Sequence, residues 1–130
     1  MALVNLVIAL ALMEFFGFGA AVGKARDKYH VAAPATTGHE IFERYFRVQM
    51  NTLELLIMFI PAIWIFAHYI SPGIAAALGA LFLIGRIVYF LAYVKEPKSR
   101  KAGFALSAGP LLVLVIGAVF GAARSALLHL

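Results

Sequence analysis

The 130-residue sequence predicts an all-α integral membrane protein, a bundle of four transmembrane helices forming one domain over residues 1–130. Three observations carry that prediction. Hydrophobic residues make up 64% of the chain and charged residues only 13%, about half the usual charged share. Four apolar segments each reach the roughly 20 residues a helix needs to cross a bilayer. The links between them are where the lysines collect. The absence of cysteine excludes disulfides, thiolate metal sites and a protein thiol nucleophile.

The first span is expected over roughly Ala2–Val22. It has no convincing cleavage site and exceeds a signal-peptide core, so it reads as a retained helix. Glu14 lies within it, read as a helix-interface residue that is protonated or paired with a polar group of the second helix. Gly17, Gly19 and Gly23 are expected to ease helix contact. A long polar loop, Lys24 to Phe42, follows. The second span covers roughly Arg47–Ile70 and has Pro61 inside it, expected to bend it. Ser71-Pro72-Gly73 is a tight turn, and the third span runs roughly Gly73–Val94. The basic link Lys95-Glu96-Pro97-Lys98-Ser99-Arg100-Lys101 leads to the fourth span, roughly Ala102–His129, in which Pro110 has the same bending role.

Charge placement orients the bundle. Lys24, Arg26, Lys28 and Arg44 lie in or beside the first loop, and Lys95, Lys98, Arg100 and Lys101 in the third. The other side has only Arg124. The positive-inside rule puts loops one and three in the cytoplasm and both termini outside. The same distribution accounts for the net charge of +5 without nucleic acid, whose binding needs an exposed basic face. The short loops suggest a bacterial inner membrane.

Arg44, Arg47, Asn51 and Glu54 follow one another at steps of three, four and three, so a helix puts them on one stripe. Gln49 lies off that stripe. Arg86, Tyr89 and Tyr93 repeat the spacing in the third span. Both stripes sit toward the cytoplasmic ends of their helices, with Arg26 and Arg100 in the adjoining loops. Polar groups at that depth are expensive and usually line a site or a buried interface. Arginine forks match carboxylates, a glutamate takes an ammonium, and tyrosines supply hydroxyls. A small zwitterion with carboxylates, entering from the cytoplasm, fits that set. An ion-pair network that only holds helices together fits it too. The histidines have no metal-ligand spacing, and no HExxH is present.

The run Phe42-Glu43-Arg44-x-Phe46-Arg47-x-Gln49-x-Asn51-x-x-Glu54, followed by Gly85-Arg86-x-x-Tyr89-Phe90-x-x-Tyr93 and then Arg100, resembles the MAPEG family, the membrane-associated proteins of eicosanoid and glutathione metabolism. The nearest pattern is that of its microsomal glutathione transferases and leukotriene-C synthase, collinear from about Ala25 to about Gly121. The resemblance implies a four-helix protomer assembled as a homotrimer, with glutathione as co-substrate at the protomer interfaces and no metal. Carried over by position, Arg47, Asn51, Glu54, Tyr89 and Tyr93 would hold glutathione from one subunit. Arg26 and Gln49 would come from its neighbour, and Arg86 would lie near the site. Arg100 would stabilise the thiolate, with Tyr93 the rival activator through its hydroxyl. The implied activity is glutathione transfer to a hydrophobic electrophile drawn from the membrane lipid, or peroxidase action on a lipid hydroperoxide. Leu55 stands where leukotriene-C synthase has a tyrosine, and Asp27 where it has a second arginine, which puts leukotriene-type substrates in doubt. A non-catalytic lipid-binding scaffold of the same fold, or a member using another thiol or ligand, are the alternatives.

Overall fold

The computed structural model describes residues 1–130. Four helices follow in order: α1 Ala2–Lys28, α2 Glu40–Tyr69, α3 Pro72–Lys95 and α4 Lys101–Leu128. A single 3-10 turn, Pro97–Ser99, lies between α3 and α4. Each of the four is long and apolar enough to cross a membrane.

α1 and α2 extend further into the first loop than hydropathy indicates. Hydropathy marks where lipid ends, whereas the helical hydrogen bonds continue until the capping chemistry stops them. Arg26 and Lys28 sit in the last turn of α1, where cations oppose the negative end of the helix dipole. At the start of α2, Nδ1 of His39 accepts a hydrogen bond from the Ile41 amide, and Glu40 and Glu43 occupy the first turn. The loop proper is therefore short, Tyr29 to His39. Ser71 caps α3 by accepting from the Ile74 amide, and Pro72 occupies its first turn. Pro61 and Pro110 both lie inside helices assigned as continuous.

The main core joins all four helices. Val4, Val7 and Ala11 of α1 meet Leu55, Phe59 and Ile63 of α2, Ala75 and Phe82 of α3, and Leu111 and Leu114 of α4. Phe59 and Phe82 stack at 4.0 Å between centroids. Outside this core, Leu6, Met13 and Phe16 of α1 and Leu112, Ile116 and Val119 of α4 are exposed. Apolar surface on this scale needs lipid or a partner to cover it.

Backbone approach is closest between α3 and α4. A Cβ added at Gly85 would lie 2.6 Å from the Leu106 backbone, and one at Gly103 would collide with the backbone of Tyr89. Gly79 lies against Val7 and Ile63 just as tightly. The glycines expected to serve contact behave differently. Within the protomer, a Cβ at Gly17 or Gly23 would meet nothing, and one at Gly19 would meet only the side chain of Gln49.

Candidate functional site

The site begins with a buried arginine. Arg86 has no exposed surface, and its side chain reaches two neighbouring helices. Nε donates to Ser107 Oγ on α4 at 2.9 Å, and Nη1 donates to Asn51 Oδ1 on α2 at 2.7 Å. A longer bond from Nη1 reaches Thr52 Oγ1 at 3.3 Å. The guanidinium also lies 4.4 Å from the centroid of the Tyr89 ring. The contact to Ser107 depends on the glycine-mediated approach of α3 to α4.

This network sets the polarity of Asn51. A guanidinium has donors and no acceptor, so the amide oxygen of Asn51 must turn toward Arg86. The amide nitrogen is then the group left for the cavity beside it. That cavity, of about 430 Å³, is lined by Arg47, Asn51, Tyr89, Tyr93, Arg100 and Phe104. α2, α3 and the start of α4 therefore place two guanidiniums, an amide and two phenols around one open space. Tyr89 and Tyr93 stack on each other at 5.4 Å, which orders one wall. Arg100 is exposed and donates to the Pro97 carbonyl at 3.1 Å, which ties its side chain to the turn between α3 and α4. Arg47 pairs with Glu54 at 3.1 Å, with the two side chains 51% and 58% exposed.

The other candidate residues lie elsewhere in the protomer. Arg86 stands behind Asn51 rather than on the cavity wall. Gln49 faces a separate opening between α1 and α2, beside Leu12, Phe16 and Gly19. Arg26 donates from Nη1 to the carbonyls of Ala35 at 2.7 Å and Val31 at 3.2 Å, and packs 4.8 Å from the Phe42 centroid. Arg44, although on the α2 stripe, caps the end of α3 through the carbonyls of Val94 and Lys95 and pairs with Glu40. Phe104 and Ser107 join the site without having been singled out in the sequence; they read as ordinary residues of an apolar helix until α4 is docked. No three His, Asp or Glu side chains converge as a metal would require.

The MAPEG family matches residues 3–120, nearly the whole chain. The chain belongs to the MAPEG family. Among similar sequences, an uncharacterized protein of Synechocystis is 50% identical over 114 residues, spanning 88% of this chain and 83% of that one. Microsomal glutathione S-transferase 2 of Homo sapiens is 42% identical over 108 residues, 83% of this chain and 74% of the human protein. Leukotriene C4 synthase of Cavia porcellus is 34% identical over 137 residues, 99% of this chain and 91% of the relative. Family membership together with four apolar helices makes this an integral membrane protein.

Proposed function

We propose that this MAPEG protein is a glutathione transferase of the membrane, with peroxidase action on lipid hydroperoxides as a second use of the same thiolate. The observation that carries the reading is the cavity walled by Arg47, Asn51, Tyr89, Tyr93 and Arg100. These residue types suit a peptide with two carboxylates, one ammonium and a thiol. Arg47 offers a fork to a carboxylate, and Glu54 beside it offers an anion to the ammonium. Asn51 donates its amide to a peptide or carboxylate oxygen. The relatives named for glutathione transfer and leukotriene C4 synthesis support the same ligand.

Arg100 is assigned to the sulfur. A free thiol has a pKa near 8.5, so most glutathione is protonated at neutral pH. A guanidinium beside the sulfur favours the anion. The thiolate then attacks an electrophilic carbon; the carbon–sulfur bond forms and the leaving group departs with its electron pair. With a hydroperoxide, the thiolate attacks the terminal peroxide oxygen, the O–O bond breaks and the alkoxide leaves to be protonated; the glutathione sulfenic acid so formed condenses with a second glutathione to give the disulfide and water. Tyr93 is the second candidate for the sulfur, through its hydroxyl.

The reading includes a homotrimer. Arg47 and Glu54 are half exposed on an otherwise greasy surface, which is costly against lipid and favourable against a polar partner. In the trimer, Arg26 and Gln49 of a neighbouring copy complete the ligand shell. The basic loops face the cytoplasm and both termini face out, in the inner membrane of a bacterium.

The test is glutathione titration of the detergent-purified protein, following ultraviolet thiolate absorbance in wild type and Arg100→Ala. A thiolate signal present in the first and absent in the second supports cofactor and residue together. No binding at millimolar glutathione overturns the reading. Binding without thiolate or turnover points to the non-catalytic scaffold.

A further inference from the structure

Arg86 is a cationic side chain buried completely within the bundle. Its hydrogen-bond acceptors, Asn51, Thr52 and Ser107, are all neutral. Its Nη2 is buried without any partner. The ion pairs of the protomer, Arg44 with Glu40 and Arg47 with Glu54, do not include it. A buried charge in a membrane bundle is normally matched by an opposite one, since leaving it alone costs several kcal/mol.

The packing of α1 on α3 shows where the match comes from. Val7 lies against Gly79, and Phe18 stacks on Phe90 at 5.0 Å. Both contacts hold the same offset, so the helices run parallel in a constant register. Glu14 is seven residues beyond Val7 and four before Phe18. Arg86 is seven beyond Gly79 and four before Phe90. The two are therefore level. Glu14 also shares its face with Val7, Ala11 and Phe18, all buried.

We propose that Glu14 is the counter-ion of Arg86, reaching the free Nη2 through one water, and that it thereby positions Asn51. The second part rests on the glutathione reading. Arg86 presents Nη1 to Asn51 and leaves Nη2 free. With a charge on the α1 side, the guanidinium is held between the two, and Asn51 keeps its oxygen inward and its donors outward. Without it, Nη2 competes for the acceptors Nη1 now holds, and Asn51 loses its fixed orientation. Two features otherwise unexplained, a carboxylate in the first span and an orphaned N–H in the third, account for each other.

Thermal unfolding of wild type, Glu14→Gln, Arg86→Met and the double variant tests the pairing. The expected result is that Glu14→Gln lowers the melting temperature in the wild-type background and has no further effect beside Arg86→Met. Additive losses overturn it. If Arg86→Met does not accumulate, infrared difference spectra of wild type against Glu14→Gln decide: an ionised carboxylate band is expected, and a protonated carboxyl band alone overturns the counter-ion. The positioning role is read from kinetics. Glu14→Gln should raise the KM for glutathione about tenfold with kcat within about threefold, and Glu14→Asp should recover part of the loss. An unchanged KM overturns positioning. Failure of the wild type to bind glutathione removes the functional reading alone, because the unfolding cycle needs no ligand.

Discussion

Asn51 touches two environments, with its oxygen on Arg86 and its nitrogen beside the cavity. Asn51→Asp separates them: a carboxylate still accepts from Arg86 but offers no donor to a ligand. Glutathione affinity is expected to fall at least about tenfold while the melting temperature holds, measured by calorimetry on the purified protein. Arg100 divides function the other way. Removing one preorganised donor from a developing charge typically costs about 10²–10³ in kcat. Arg100→Ala should lose turnover on that order and keep glutathione affinity within about tenfold. The sign with pH follows. A guanidinium lowers the thiol pKa, so wild-type activity persists to lower pH, and the acid limb of the variant's rate profile should move up toward about 8.5. Arg26 and Arg44 carry the same charge but serve backbone carbonyls in the protomer. Nothing in an arginine's sequence neighbours tells a carbonyl acceptor from a ligand, because every residue supplies the carbonyl.

The approach of α3 to α4 is what seats the site, since it brings Ser107 to Arg86 and Phe104 beside Tyr89. Gly103→Ala forces a methyl into the Tyr89 backbone, and backbone cannot rotate away as a side chain would. A loss of about 1–3 kcal/mol is expected, together with weaker glutathione binding. Gly17→Ala meets no atom within the protomer and gains helix propensity of up to about 1 kcal/mol, so its melting temperature should hold or rise. Thermal unfolding of the two variants side by side checks both. The glycines picked from the sequence, Gly17, Gly19 and Gly23, are not the ones that bring α3 against α4. Which glycines do so depends on the relative register of two helices, and each helix is regular along its whole length. The α2 and α3 stripes were legible for the opposite reason: three- and four-residue steps are a property of one helix alone.

Taken as a whole molecule, the protomer leaves apolar faces of α1 and α4 and a half-exposed Arg47–Glu54 pair without cover. Detergent-purified protein should therefore run as a homotrimer by native mass spectrometry. A stable monomer that still binds glutathione would remove the neighbour's Arg26 and Gln49 from the ligand shell. The four spans, their order and the basic character of loops one and three are present in composition, because partition into a bilayer sums over about twenty residues and tolerates ignorance of neighbours. Five of the residues that line the cavity, Arg47, Asn51, Tyr89, Tyr93 and Arg100, were singled out by two stripes and a family pattern, while Phe104 was not. Side-chain chemistry along the chain did not say which arginine turns inward. Arg47, Arg86 and Arg100 are chemically alike, and their separate places, on a half-exposed pair, behind Asn51 and at the cavity mouth, follow from the register in which the helices dock. That register is set by contacts between residues far apart in sequence, Val7 with Gly79 and Gly103 with Tyr89, whose energies exist only once the helices are packed.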